Sequence, residues 1–217
     1  MNINEVIELL KQKADLVYLA GMQRYGINAT HAIGVRLPEL HKLARAIKKN
    51  HVVALELWDT GLHEARILAS MVDDPAMVTE TQIDNWTKDF NSWDLCDQVC
   101  GNLFDRTPFV IAKAKEFSMH EDEFVKRAGF VLMAEYAVHG KKETDQTFIG
   151  MLPIIEREAW DNRNFVKKAV NWALRQIGKR NDILRVKAIQ TAQNILKQNQ
   201  KSARWIATNA LAELTAK

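Results

Sequence analysis

Trp93 and Asp97 stand four residues apart in the stretch NSWDLCDQVCGNLFDR. On a helix of about 3.6 residues per turn that spacing puts an indole and a carboxylate on one side, while Leu95, Cys96, Val99 and Leu103 form an apolar stripe on the other. An aromatic wall beside an acid suits chemistry in which positive charge develops. Displacement at a sugar C1′ passes through an oxocarbenium-like state, which a nearby carboxylate stabilises while it orients the attacking water. The blander alternative for Asp97 is a salt bridge to Arg127, and the two readings are compatible. Asp94 reads differently. It falls in the first turn after an N-cap expected at Ser92, where its charge favours the helix dipole, and it is assigned a structural role.

A second tryptophan sits in NFVKKAVNWALRQIGK, Asn164 to Lys179. There Val166, Ala169, Val170, Ala173, Leu174 and Ile177 share one helical face, and Lys168, Trp172, Arg175 and Lys179 share the opposite one. A tryptophan ringed by three cations fits a phosphate backbone with a sugar or base at its centre. The alternative is that a neighbouring helix or the C-terminal segment covers Trp172.

The elements that must position these residues are helices. The 217 residues are 47% hydrophobic and 26% charged, with four prolines and nine glycines, enough to bury a core without disulfide staples. A net charge of +3 permits an anionic partner without demanding one. The start, MNINEVIELLKQKADLV, has no uninterrupted apolar run, and no window approaches the roughly 20 apolar residues of a membrane span. The expectation is a soluble, monomeric, cytoplasmic protein without a membrane partner. Cys96 and Cys100 lack companions at metal-ligand spacing, so no metal is expected, and they read as reduced, half-buried packing residues.

No period-2 run, phosphate loop or nucleophile elbow occurs. The expected fold is all-α, one domain over 1–217. Helices are predicted over Asn4 to Met22, Pro38 to Lys49, Val52 to Thr60, His63 to Val72, Thr79 to Phe90, Ser92 to Asp105, Pro108 to Ser118, Glu121 to Val138, Glu143 to Glu158, Arg163 to Lys179, Asp182 to Asn199 and Ser202 to Leu214. Four of them place a basic residue at one register: Arg66, Arg127, Lys168 and Arg204, separated by 61, 41 and 36 residues. Asp97 occupies the same register near the midpoint of the first, double-length step. Helix pairs recurring at about 30 to 45 residues mark an α-solenoid of HEAT-like antiparallel pairs, a curved superhelix with a concave face, against the alternative of an irregular bundle. In such a solenoid the basic register forms a phosphate track interrupted by one acid, unless Arg66 and Arg204 instead bridge neighbouring repeats. Trp58, Trp86, Trp160 and Trp205 read as packing residues.

The runs NSWDLCDQVCGNLFDR, FVKRAGFVL and RNFVKKAVNWALRQIGKRN resemble the AlkD-type DNA alkylation repair proteins, alkylpurine DNA glycosylases built of HEAT-like repeats. The resemblance extends from about Met22 to Leu214. It implies excision of cationic N3- or N7-alkylated purines from double-stranded DNA, without metal or cofactor and without base flipping, from an open groove that offers no deep base pocket. Residue by residue it makes Trp93 and Trp172 lesion-site tryptophans, Asp97 the catalytic carboxylate and Arg127 a contact to the backbone. Lys168, Arg175 and Lys179 would hold DNA beside them. MQRYGI is similar to the family's first groove-lining segment, which places Tyr25 near DNA, and Arg36 in GVRLPEL stands where the family pattern has a polar amide. The reading from another class is a non-catalytic HEAT-like module that binds DNA structures or an acidic protein.

Overall fold

The computed structural model describes residues 1–216. Among them all regular structure is helical, and the chain divides into two compact units, Met1–Thr107 and the remainder from Pro108.

The first unit holds α1 (Ile3–Gln12), α2 (Leu16–Met22), α3 (Leu37–Ile47), α4 (His51–Asp59), α5 (His63–Val72), α6 (Glu80–Lys88) and α7 (Trp93–Asn102), with short 3-10 turns at Gln23–Tyr25 and Phe104–Arg106. The single helix expected from Asn4 to Met22 is two. Asp15 stops the run because a short acidic side chain favours a cap over a helix interior: it accepts from the Tyr18 amide at 2.9 Å to start α2, and its own N–H donates to Gly34 O at 2.9 Å. Helix α5 packs on α3, α4 and α7. Trp58 and Trp86 stack in the core, ring centres 4.0 Å apart, both buried as expected. Cys96 and Cys100 are completely buried rather than half-buried, because α7 turns both toward the same packed side.

The second unit holds α8 (Val110–Phe117), α9 (Glu123–His139), α10 (Asp145–Ile149), α11 (Leu152–Glu158), α12 (Asn164–Gly178), α13 (Asp182–Leu196) and α14 (Lys201–Leu214). The helix expected from Glu143 to Glu158 breaks at Gly150–Met151, ahead of Pro153 in the first turn of α11, since proline cannot donate within a continuing helix. Helix α9 packs on α8 and α12, and α12 on α14, so the helices that carry Arg127, Lys168 and Arg204 are consecutive neighbours. At Gly129 a Cβ would lie 2.8 Å from Ser118 Cα; glycine is what lets α9 approach the end of α8. Lys126 is buried yet compensated, 2.7 Å from Glu158 and 3.2 Å from Asp161. Trp160 and Trp205 depart from the packing role: they are 52% and 40% exposed. Each ring is met by a lysine rather than a helix, Lys126 at 4.9 Å and Lys167 at 5.0 Å.

No helix among the described residues is long and apolar enough to cross a membrane.

Candidate functional site

In the first unit the site is built at the starts of α5 and α7. Ser92 ends the preceding turn in extended conformation, and its hydroxyl donates to Asp94 Oδ1 at 2.7 Å instead of capping the helix backbone. Asp94 Oδ2 meets His63 Nε2 at 2.8 Å. Burial, the largest influence on each, disfavours both charges, but the mutual hydrogen bond and attraction outweigh it. The Asp94 carboxyl is held below its ordinary value and the His63 imidazole above its own. The structural role assigned to Asp94 is therefore realised through a buried histidine on the neighbouring helix.

Glu64, next to His63, is 1% exposed and was not singled out by the sequence. Its carboxylate accepts from the amides of Ile33 at 2.7 Å, Gly34 at 2.6 Å and Val35 at 3.1 Å. Three consecutive N–H groups on one carboxylate fix the loop that leads into α3. Gly34 is required there, since its φ is +89° and a Cβ would approach Asp15 O to 2.7 Å. Just upstream, the Trp93 indole N–H donates to Tyr25 O at 2.8 Å. The half-buried indole is thus locked across 68 residues of sequence, with the exposed Tyr25 ring beyond it. Asp97 follows one turn along α7, half-buried. Arg36, expected near DNA, is exposed, paired with Asp15 at 2.9 Å, and lies 4.8 Å over the Tyr18 ring.

Beneath Trp93 lies a cavity of about 170 Å³, walled by Tyr18, Leu40, His63, Asp94 and Gln98 among others. Met22, Ile27 and Val35 also line it. Engineered cavities of roughly 150 Å³ hold a benzene ring, so the space is smaller than an alkylated nucleoside.

At the other end of the same helices the sequence reading missed a basic basin of about 720 Å³. His41, Lys42, Arg45, Lys48, Lys49 and Arg106 line it. Burial, then the nearby charge of Arg106, holds Lys49 below its usual range. The signal lies in HKLARAIKKNH, whose cations recur at helical spacing outside the repeat register. Trp93 and Asn102, at the two ends of α7, are separated by about 14 Å of helix. Arg66 is no part of a phosphate track: it pairs with Asp89 at 2.8 Å and lies over Trp58, so it bridges neighbouring helices.

In the second unit the expected outer face of α12 is only partly free. Trp172 is half-buried and Lys168 exposed. Arg175 and Lys179, however, both bind Glu213 of α14, Lys179 at 2.8 Å, and these bonds, the one to Lys179 first, hold the Glu213 carboxyl below its ordinary value. Of the three cations expected around Trp172, Lys168 is exposed, while Arg175 and the exposed Lys179 share one carboxylate because the C-terminal helix supplies an acid, which leaves that trio one net positive charge. Arg127 is 5% exposed and donates to Phe165 O at 2.6 Å. It ties α9 to the start of α12, so in this structure its guanidinium is not a surface group.

The sequence matches the family model described as DNA alkylation repair enzyme over residues 6–214. No curated protein matches it. Among solved structures it is similar to one described as "A new family of proteins related to the HEAT-like repeat DNA glycosylases with affinity for branched DNA structures", with a TM-score of 0.82, 19% identity, and coverage of 98% of this chain and 95% of that one. The chain belongs to the DNA alkylation repair enzyme family and has the all-α HEAT-like repeat fold.

Proposed function

We propose that this chain is a DNA glycosylase that hydrolyses the N-glycosidic bond of cationic N3- or N7-alkylated purines in double-stranded DNA. The observation that carries the reading is Trp93, an indole pinned by the Tyr25 carbonyl with a half-buried carboxylate, Asp97, one turn away. A fixed aromatic wall costs no reorganisation when charge develops, and a carboxylate close by favours the sugar cation. Water attacks C1′ as the bond to the purine breaks, its electron pair passing to the base and cancelling the positive charge there. The water's proton passes to Asp97 or to solvent. The lesion's own charge activates the leaving group, so neutral bases are poor substrates. The cavity beneath Trp93, smaller than a nucleoside, supports a base that is not flipped into the protein.

The basic basin of the first unit supports contacts to the DNA backbone, with Lys168 and Trp172 of the second unit as further contacts. Tyr25 and Arg36 add contacts from the loop ahead of α3. Arg127 takes a positioning part through the Phe165 carbonyl. The protein acts as a monomer in the cytoplasm, on nucleoid DNA, and needs no cofactor.

A competing reading is a non-catalytic binder of DNA structures, favoured by the affinity for branched DNA described for the structural relative. One experiment separates the two: release of free base from duplex DNA carrying 7-methylguanine, by the wild-type chain and by Asp97→Asn at one salt concentration. Release that is largely lost in Asp97→Asn while affinity persists upholds the glycosylase. No release by saturating wild-type protein refutes it. Alanine at Lys48, Arg45 or Arg106 should each lower the salt slope of duplex binding by about 1; an unchanged slope removes the basin from the interface.

A further inference from the structure

Trp205 lies on the outer side of α14, whose inner side is the fully buried set Ala203, Ile206, Ala207 and Ala210. An indole 40% exposed on a well-packed helix leaves a large apolar area in water. It stands in an open groove of about 700 Å³ that Asn199, Lys201, Arg204, Thr208 and Asn209 also line. Among the described residues, none that line this groove is acidic. Lys167 of α12 holds its ammonium over the Trp205 ring, 5.0 Å from the indole centre, and Arg204 spends a hydrogen bond on the neutral Asn199 side chain at 3.0 Å rather than on a carboxylate. Three cations and one exposed indole are thus gathered in one place, in contrast to Arg175 and Lys179, which share the Glu213 carboxylate.

We propose that this groove binds an unpaired nucleotide of DNA, its base stacked on Trp205 and its phosphates held by Lys167, Lys201 and Arg204. The proposal rests on the nucleic-acid reading above but not on glycosylase activity. The choice of occupant follows from what each candidate can offer an indole. Intact duplex presents phosphates but hides its base faces in the stack, so it would use the cations and leave Trp205 uncovered. An acidic peptide would do the same. An unpaired base supplies a π-face and a phosphate within one nucleotide, the combination that stacking platforms in single-strand-binding grooves use. Thr208 and Asn209 stand beside the indole as hydroxyl and amide groups able to meet any base edge without selecting one. The groove therefore directs the protein to gaps, flaps or junction arms.

The test compares a blunt duplex with the same duplex carrying a four-nucleotide single-stranded overhang that contains 2-aminopurine. Binding of the full chain is followed by anisotropy and by quenching of the 2-aminopurine. The wild type should bind the overhang DNA about fivefold or more tighter than the blunt duplex, with the probe quenched, since that is the lower end of what one stacked base contributes. Trp205→Ala should erase the preference and the quenching while blunt-duplex affinity stays put, and Trp205→Phe should keep part of both. Equal wild-type binding to the two DNAs, or a preference that survives Trp205→Ala, overturns the proposal, as does a glutamate-rich peptide that displaces the overhang as well as an oligonucleotide does. Lys201→Glu with Arg204→Glu provides a second, surface-only perturbation and should lose the preference too. Base release from blunt alkylated duplex is read separately, so absence of release alongside an intact overhang preference counts against the glycosylase reading alone.

Discussion

Replacing Glu64 by alanine removes a buried acceptor from three backbone donors at once. The amides of Ile33, Gly34 and Val35 lie 2.6 to 3.1 Å from its carboxylate, and Glu64 itself is 1% exposed. A buried donor left without a partner costs about 1–3 kcal/mol. Three would cost more than the fold commonly spares, but the space vacated by the side chain admits water to one or two of them, so the variant should lose about 3 kcal/mol. For a chain of this length that corresponds to about 6–12 °C in Tm. Glu64→Gln keeps an oxygen for Gly34 and Val35 but turns an NH2 toward the Ile33 amide, and should lose about 1–1.5 kcal/mol. Thermal unfolding followed by circular dichroism measures the order, and hydrogen exchange at residues 33–35 locates it. The DNA affinity of Glu64→Ala should fall as well, because the same loop carries Tyr25, whose carbonyl holds the Trp93 indole. A Tm drop below about 2 °C, or exchange at those three amides no faster than in the wild type, would refute the claim that one carboxylate organises this loop.

The His63–Asp94 pair gives stability a pH dependence of fixed sign. His63 is raised from 6.5 in the folded chain, so its contribution is fully present below that value and is lost as pH climbs through the raised one; Asp94 is lowered from 3.8, so its contribution is present above 3.8 and is lost as pH falls through the lowered one. Urea midpoints measured upward from pH 6.5 should decline in the wild type and flatten in Asp94→Asn. Gly129→Ala would ordinarily favour a helix by about 1 kcal/mol, yet here the added Cβ meets the Ser118 backbone, so the sign should reverse to a loss of about 2 kcal/mol or more, measured by urea unfolding; a stabilised variant would contradict the close approach of α8 and α9. Cys96 and Cys100 are fully buried, and burial, with the neighbouring Cys96 thiol next, pushes the Cys100 thiol well above 9.0. A thiol reagent should modify neither in the native protein and both after unfolding, so prompt native labelling would count against the packing of α7.

Much of this protein is a matter of local pattern and so was open to reading from the sequence. The apolar stripes of α7 and α12, the register that makes α9, α12 and α14 successive neighbours, and the all-helical fold follow from a period of about 3.6 residues, which depends only on which residues are near in sequence. The motif residues of the family lie in those same helices. What the pattern could not supply is the partner of each polar group, because partners come from distant segments. Glu213 lies 34 to 38 residues from the cations it pairs with, Glu64 about 30 from the amides it gathers, and the Tyr25 carbonyl 68 from Trp93. Periodicity says that Arg66, Arg127, Arg175 and Trp205 leave the apolar stripe of their helices. Only the tertiary structure decides that the first three are spent on protein partners while Trp205 stays part-exposed, since charge and burial are properties of the space between helices and not of any one of them.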